Sequence, residues 1–526
     1  MSKAKKYLSL ALSLIMVLGV LAGCSGKKSD DNSNSNNSNN SSSTQAPAKT
    51  DAPAAANNDT ANNAATNNSE TPGETAANPF EIKGSVVIAY PEGETAEIVP
   101  VLDAFRKTYP NITVVDEPFP GSTGGAFNEY LAQKAASNQM PDLMWLDWND
   151  FAPEVASGYV YALNDLTAGD AEFAYVPSGM TDPYTYGGKL YALPCQMNAM
   201  GITLNLDLLN ELNIPKPSYD WTFDEFVEIL KKATTNETAG AALLEDLDQV
   251  YSAQDSGYFY PAYDYVNQKF DFTNKWVPAM NKLAELRAIP GLDAWAMKFP
   301  KDENGQTPMD SDYVAKFGEA GKDDNHYLFK NGMALVATGA TWNDNWMRDE
   351  VKGEWDYWPY PRTGNEPVKT PIHVDCAYLT STVKDPVAAF ELLKWLTYGL
   401  EGNLQRLDIF AKRGMADVVD GDTKLLKTWF IPCTQHPDVL AKFEENPNIS
   451  EGFFALYKST SNSIRGDINK ILPNYNLIFD DEVWGLLGAV REGRAKAADV
   501  APQIDAKVNA ALQEQLTAFN AKVGSK

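Results

Sequence analysis

The thiol of Cys24 is the side chain whose surroundings say most about chemistry in this 526-residue chain. It directly follows Leu21-Ala22-Gly23 and an apolar stretch at residues 7–20, and three lysines lie among the first six residues. A basic start, a short apolar stretch and small residues before a cysteine are typical of a secretory signal. The pattern predicts transfer of a diacylglycerol group to the Cys24 thiol and removal of residues 1–23 as a signal peptide. An uncleaved transmembrane helix would need about 20 apolar residues, and this run is shorter.

Lipidation at Cys24 would determine where the protein works. Two acyl chains hold a soluble domain on a membrane durably, so we expect a protein anchored by lipid to the extracellular face of a bacterial cytoplasmic membrane. Residues 25–79 are mainly Asn, Ser, Ala and Thr, with no Ile, Leu, Val or aromatic residue. Such a segment cannot bury enough apolar surface to fold. Residues 24–79 are therefore predicted to be the lipidated cysteine and a disordered linker with a reach of roughly 40 Å.

The charge balance limits the partners of the remaining chain. The full chain has 44 basic and 70 acidic residues, a net charge of -26, whereas nucleic acids and anionic surfaces require basic patches. Neither is expected as a partner, and no motif indicates a cofactor or a metal. The acidic segment 302–305 lacks the full spacing of a calcium loop, so we interpret it as a solvated turn and leave a structural calcium open. Cys195, Cys376 and Cys433 lie too far apart in sequence for a zinc ribbon or a CxxC redox pair.

Strand and helix patterns alternate after residue 80. Apolar strands are predicted at residues 85–90, 112–115 and 142–146, with amphipathic helices between them. This alternation predicts a parallel sheet in an α/β domain, and ligands bind such sheets at the carboxyl ends of the strands. The loop at 121–125 is rich in glycine but lacks the lysine of a phosphate-binding loop. The loops that follow these three strands would therefore contact the ligand. Their predicted contact residues are Glu92, Ser122, Thr123, Trp148, Asn149 and Asp150.

Several short motifs occur in one order along the chain. They are FRKTYPNI at 105–112, PDL at 141–143, YGGKLYALP at 186–194, GITLNLDLL at 201–209, WTFDEF at 221–226, FKNGMAL at 329–335, WPYPR at 358–362 and VREGR at 490–494. Together they resemble the extracellular solute-binding proteins of carbohydrate ABC importers, the maltose-binding-protein-like family, over residues 80–526. The chain departs from the family at Leu204, where relatives usually have a tyrosine.

Some of these motifs also have a local structural interpretation. Thr222 and Glu225 have the spacing of a capping box at a helix start, and Gly187-Gly188 permits the positive φ of a hairpin turn. A stripe of Val500, Ile504, Val508 and Leu512 predicts the buried face of a long final helix.

The resemblance implies a two-lobed periplasmic-binding-protein-like fold of type II, with lobes joined by hinge crossings near Pro194, Asp375 and Arg413. The first lobe would comprise residues 80–194 plus 376–412, and the second residues 195–375 plus 413–526. Cys195 and Cys376 both fall at crossings that run side by side in relatives. The resemblance therefore leaves a disulfide between them open.

An uncharged sugar requires flat aromatic faces, and amides or carboxylates that bond its hydroxyls. Trp148, Asn149 and Asp150 occupy a contact position of the first lobe in relatives, and Trp342 stands where the family has a stacking tryptophan. The other contact residues implied by the resemblance are Gln196, Asn198, Asp255, Tyr258, Asn343, Asp480 and Trp484. Three further tryptophans, Trp145, Trp395 and Trp429, are interpreted as core.

The leading hypothesis is a monomeric, non-enzymatic binding lipoprotein. It would capture a sugar, with an oligosaccharide favoured, by hinge closure and deliver it to an ABC permease. Two alternatives stay open: a secreted glycoside-active enzyme with two catalytic carboxylates, and a sugar-sensing lipoprotein that docks on a membrane receptor. The sequence identifies neither the sugar nor the permease.

The variant Cys24→Ala removes the thiol that would accept the lipid. We expect it to leave the membrane fraction or to accumulate as an unprocessed precursor, whereas Ser25→Ala is expected to behave like the parent. Cell fractionation with immunoblotting measures both outcomes. Normal processing and membrane retention of Cys24→Ala would contradict the lipoprotein hypothesis.

Overall fold

The structure is a computed structural model that describes most of the chain beyond residue 80. The described residues are 81–120, 124–147, 151–244, 246–248, 251, 258–259, 262–299, 311–365, 367–413, 418–420, 423–425, 431–446 and 449–524. The predicted signal peptide, Cys24 and the predicted linker lie outside these ranges.

The strands of the described residues are mostly short. In chain order they are β1 (Gly84–Pro91), β2 (Ile112–Phe119), β3 (Leu143–Asp147), β4 (Thr185–Tyr186), β5 (Lys189–Leu190), β6 (Leu193–Asn205), β7 (Ala239–Leu243), β8 (Tyr258–Phe259), β9 (Tyr263–Asp264), β10 (Lys269–Phe270), β11 (Ala334–Ala340), β12 (Trp355–Trp358), β13 (Thr370–Leu379), β14 (Val418–Asp420), β15 (Thr423–Leu425) and β16 (Ser463–Arg465).

Helices separate most of these strands. In chain order they are α1 (Thr95–Thr108), α2 (Gly124–Ala136), α3 (Ala152–Ser157), α4 (Asn164–Thr167), α5 (Ser178–Thr181), α6 (Leu206–Glu211), α7 (Phe223–Ala233), α8 (Val277–Arg287), α9 (Ser311–Phe317), α10 (Tyr327–Lys330), α11 (Asp344–Glu350), α12 (Pro386–Leu396), α13 (Leu400–Arg413), α14 (Pro437–Glu444), α15 (Glu451–Ser459), α16 (Ile468–Ile471), α17 (Tyr475–Ile478), α18 (Asp481–Arg491) and α19 (Ala497–Val523).

The largest sheet has the order β2-β1-β3-β13-β6-β11-β7, and β12 and β16 join it beside β6 and β13. Strand β1 is parallel to β2 and to β3, as the alternating pattern predicted. The predicted strands and helices of this region correspond to β1, α1, β2, α2 and β3. Their apolar residues, such as Ile88, Phe105 and Leu143, are fully buried. The predicted hairpin at Gly187-Gly188 is also confirmed, with φ values of 58° and 77°.

Strand β6 connects two hydrophobic cores. Up to Ala199 its buried side chains belong to a first cluster, and from Met200 onward they belong to a second. Its pairing partner changes at the same point, because Ala199 lies opposite Ile372 of β13 whereas Met200 lies opposite Ala340 of β11. One continuous strand therefore contributes side chains to two hydrophobic clusters.

The first hydrophobic core also includes residues from beyond the predicted end of the first lobe. Val439 and Phe443 of α14 pack in the first cluster, and Lys442 of the same helix forms an ion pair with Asp408 at 2.6 Å. The first core therefore continues beyond residue 412, where the predicted first lobe ends. The predicted lobe boundaries stay a prediction.

Cys195 and Cys376 are neighbours across β6 and β13, but both carry reduced, buried thiols. Cys376 pairs with Pro194, and a register shift between Asp375 and Cys376 skips Cys195. The Cys195 thiol instead donates to the carbonyl oxygen of Asp375 at 3.4 Å. Burial raises the pKa of the Cys195 thiol far above its ordinary value and that of Cys433 to about 12. Cys195 and Cys376 are therefore not bridged in this structure.

Within the described ranges, no helix combines the length and the apolar character needed to cross a bilayer.

The predicted capping box is present at the start of α7. The Glu225 amide donates to Thr222 Oγ1 at 3.2 Å, and the Thr222 amide donates to the Glu225 carboxylate at 2.7 Å. These bonds satisfy amides that a helix start otherwise leaves without partners.

Thr222→Ala removes the capping oxygen. We expect the free energy of unfolding to fall by about 1 kcal/mol, whereas Thr222→Ser keeps the oxygen and should retain most of the stability. Chemical denaturation followed by tryptophan fluorescence compares the two variants. Equal stability of Thr222→Ala and the parent would show that the cap contributes nothing.

Candidate functional site

Polar side chains from several elements converge on the central strands β6 and β13. Strand β6 contributes Gln196 and Asn198, and β13 contributes His373 and Asp375. The 3-10 turn Glu92–Glu94 after β1 contributes Glu94, the turn Thr341–Asn343 after β11 contributes Trp342, and α13 contributes Arg406. We call these seven residues the central-strand cluster.

Arg406 fixes one side of this cluster. Its guanidinium is almost fully buried, and Nη1 donates to the carbonyl oxygen of Cys195 at 3.0 Å. Nη2 lies 3.5 Å from Oε1 of Gln196. Because the Gln196 oxygen faces Arg406, its amide NH2 group is the part directed to other partners.

A hydroxyl orients the amide of Asn198. Thr341 Oγ1 donates to Asn198 Oδ1 at 3.0 Å and accepts from the backbone amide of Ala199 at 3.1 Å. This relay joins β6 to the turn after β11. It also leaves the NH2 group of Asn198 as a donor of fixed orientation.

Trp342 presents an open aromatic face next to these amides. Its side chain is 46% exposed, and its ring lies 4.9 Å from the His373 ring at 68°. Burial, together with the nearby cations Lys470 and Arg465, lowers the His373 pKa to about 4 despite the opposing effect of Asp467. His373 is therefore a neutral support for the tryptophan at pH 7.

A buried ionic network lies beneath β13. The Asp467 carboxylate accepts from Nε of Arg465 at 2.7 Å and from the Val374 amide at 2.7 Å. Lys470 contacts Asp375 and lies 3.5 Å from Asp467. Burial alone would raise the pKa of Asp467, but Arg465 and Lys470 outweigh it and hold the pKa below its ordinary value. The network holds β13 and the segment before α16 together.

Glu94 titrates near neutral pH. Burial is the largest cause, Glu97 and Asp375 add to it, and Arg406 opposes it, so that the Glu94 pKa rises to about 7. Near neutral pH, the Glu94 carboxyl can therefore donate as well as accept a hydrogen bond.

The other predicted site residues in the described ranges have mixed surroundings. Glu92 is exposed beside Glu94, Asn343 accepts from the Trp346 indole at 2.9 Å, and Asp480 accepts from the Val483 amide at 2.9 Å as the cap of α18. Trp484 is 45% exposed and lies 5.6 Å from the Phe479 ring. For Tyr258 the structure describes only the backbone, in β8.

Six predicted contact residues lie outside the described residues: Ser122, Thr123, Trp148, Asn149, Asp150 and Asp255. Of the tryptophans interpreted as core, Trp145 and Trp395 are buried as predicted, and Trp429 lies outside the described residues.

Sequence reasoning missed four members of the cluster, namely Glu94, His373, Asp375 and Arg406. Glu94 was accessible from sequence, because it lies two residues after Glu92 in the loop that the sheet rule selected. Arg406 lies in a helix whose pattern resembles any amphipathic helix. Its distance of 210 residues from Gln196 leaves no local signal.

Comparisons with known proteins agree with this architecture. The family model described as bacterial extracellular solute-binding protein matches residues 90–397, more than half of the chain. The galactooligosaccharide-binding protein of Bacillus subtilis (strain 168) is 25% identical over 278 residues, which are 52% of this chain and 59% of that protein. The match thus spans less than two thirds of this relative.

Solved structures share the fold at low identity. The sugar-binding protein MalE of Xanthomonas citri gives a TM-score of 0.61 at 14% identity, over 83% of this chain and 99% of that chain. A cyclo/maltodextrin-binding protein complexed with maltotetraose gives 0.58 at 15% identity, over 82% and 97% of the two chains. The architecture is therefore the predicted α/β type II periplasmic-binding-protein-like fold.

Glu94→Gln tests the electrostatics of the cluster. Between its ordinary pKa of 4.5 and about 7, the folded protein binds a proton at Glu94 that the unfolded chain has released. The contribution of Glu94 to stability therefore falls as pH rises through this range and stays low above pH 7. We expect Glu94→Gln to match the parent at pH 4 and to be more stable by about 1–2 kcal/mol at pH 8, after allowance for solvent screening.

Chemical denaturation across this pH range measures the effect. Glu514→Gln, on the exposed face of α19, is the matched control and should follow the parent at every pH. A constant difference between Glu94→Gln and the parent from pH 4 to pH 8 would rule out the raised pKa.

Proposed function

The chain belongs to the bacterial extracellular solute-binding proteins, and we propose that it captures a sugar, with an oligosaccharide favoured, and delivers it to an ABC permease. The observation that carries this proposal is the exposed face of Trp342 beside the oriented amides of Gln196 and Asn198. Aromatic faces pack on the C–H faces of sugars, and planar amides bond adjacent hydroxyls.

The names of similar proteins support a carbohydrate ligand. The relative from Bacillus subtilis is a galactooligosaccharide-binding protein, and one similar structure is complexed with maltotetraose. Another, from Listeria monocytogenes, is complexed with cycloalternan and gives a TM-score of 0.55 at 17% identity, over 84% of this chain and all of that one. These names give different ligands, so we leave the sugar type open.

Each member of the cluster has a role in this proposal. Trp342 stacks on one sugar ring, with His373 supporting it from behind. Gln196 and Asn198 donate to hydroxyl oxygens, and Glu94 accepts from a hydroxyl. From the sequence-derived set we propose Glu92, Ser122, Thr123, Trp148, Asn149, Asp150, Asp255, Tyr258, Asn343, Asp480 and Trp484 as further contacts.

Capture occurs by closure of two lobes about the central strands. Strand β6 carries Gln196 and Asn198 and contributes to both hydrophobic cores. A bend of this strand between Ala199 and Met200 would therefore change the angle between the two cores. A ligand that contacts both lobes binds the closed state better and shifts the population toward it. The lipid at Cys24 and the linker at 25–79 keep the protein near its permease.

A ligand panel tests the function directly. Maltotetraose, galactooligosaccharides and xylooligosaccharides are titrated by calorimetry and in thermal-shift assays, where ligand at about 100 times its Kd adds roughly 2.7 kcal/mol of stability. Chromatography of the recovered glycans is expected to show them intact. Cleavage products would instead favour the enzyme alternative.

Trp342→Ala and Trp145→Ala separate the site from the core. Trp342→Ala removes a contact made with the ligand, so we expect Kd to rise on the order of a hundredfold with little change in apo stability. Trp145 is 2% exposed, and its truncation should lower the free energy of unfolding by about 3–5 kcal/mol. If Trp342→Ala destabilises the apo protein as much as Trp145→Ala and leaves sugar affinity intact, the site assignment is wrong.

A further inference from the structure

A cavity of about 500 Å³ lies against the central strands, outside the central-strand cluster. Its lining includes Met180 from α5, Tyr265 from the turn after β9, Lys369 just before β13, and Arg465 of β16. The volume is in the range of small-molecule sites.

Strand β13 separates this cavity from the candidate sugar site. Ile372 lines the cavity, whereas the ring of the next residue, His373, contacts Trp342. Successive side chains of a strand point to opposite faces. The cavity therefore lies behind the strand whose front carries the sugar-binding groups.

Arg465 lines the cavity with a guanidinium that is only partly hydrogen-bonded. Its side chain is 97% buried, Nε donates to Asp467 Oδ1 at 2.7 Å, and Nη2 donates to Asp467 Oδ2 at 3.0 Å. Nη1 is buried and has no hydrogen-bond partner among the described residues. A buried guanidinium nitrogen without a partner is costly, so an acceptor that reaches Nη1 from the cavity would remove this penalty.

Other lining groups indicate the chemistry of that acceptor. Lys369 has no ion pair with any described carboxylate, and Ser463 adds a hydroxyl. Asp182 is exposed and also lines the cavity, which limits the total negative charge that the cavity accepts. The remaining lining includes the apolar residues Pro177, Met180, Pro183, Ile372 and Ile464, together with the polar Gln435, Thr460 and Ser461.

We propose that this cavity binds a small organic carboxylate, with its anionic group between Arg465 Nη1 and Lys369 and its apolar part against Met180 and Ile372. A single negative charge suits a site that also contains Asp182. The apolar wall favours an organic anion over inorganic phosphate, whose surface is polar throughout.

Benzoate is the probe, titrated by calorimetry into the unliganded protein without any sugar. We expect saturable 1:1 binding with Kd below about 1 mM. Benzyl alcohol has the same ring without the charge and should bind at least about tenfold more weakly. Inorganic phosphate should bind more weakly than benzoate, and phosphate binding of equal strength would overturn the organic class.

Two variants change the cavity without removing the Arg465–Asp467 pair. Lys369→Gln should weaken benzoate about tenfold, while Lys232→Gln on the exposed face of α7 should leave it unchanged. Gly179 lines the cavity, and no atom lies within 4 Å of a Cβ built there. Gly179→Leu should therefore fold and abolish binding by filling the space, whereas Gly485→Leu, also without neighbours around its Cβ, should not.

The same titrations decide the proposal independently of sugar binding. No saturable benzoate binding to the parent, or unchanged affinity in both Lys369→Gln and Gly179→Leu, would overturn the carboxylate site. A protein that binds benzoate as described but no sugar in the ligand panel would leave this site intact and contradict the proposed function.

Discussion

The buried carboxylate of Asp467 is the group on which the central part of the fold depends. It is fully buried and receives donors from Arg465 and the Val374 backbone, with Lys470 nearby. A carboxylate in such a place is tolerated only while its partners are present, and loss of one partner of a buried pair typically costs about 3–5 kcal/mol. The arrangement therefore fixes β13 relative to β16 and α16, and with it the positions of His373 and Asp375.

The Asp467 carboxylate accepts hydrogen bonds from two of the three guanidinium nitrogens of Arg465. Nε and Nη2 face Asp467, whereas Nη1 is buried without a hydrogen-bond partner among the described residues. Lys470 also pairs with Asp375 of β13, and the Asp375 carboxylate in turn contributes, after burial and Glu97, to the raised pKa of Glu94. One buried network thus links the charges of β13 to the titration of Glu94 in the candidate site. Burial alone would have penalised each of these charges.

Local sequence patterns predicted the structural features that depend only on residues close together in the chain. The apolar periodicity of β1, α1, β2 and α2, the parallel pairing, the capping box at Thr222 and the hairpin at Gly187 all follow from neighbouring residues. The two-lobed architecture came from the resemblance, because no spacing rule shows that β6 serves two cores. Arg406 and His373 acquire their roles from packing against residues far away in sequence. The continuation of the first core into α14 has the same origin, since it depends on contacts such as Lys442 with Asp408.

The reduced thiols in and beside the central strands have a consequence for oxidation chemistry. Because the thiolate is the reactive form and burial keeps Cys195 and Cys433 protonated, neither reacts with an oxidant while the fold is closed around it. The same shielding makes the two cysteines natural reporters. Their alkylation by a thiol reagent requires local opening, so its rate measures how often the strands around them separate.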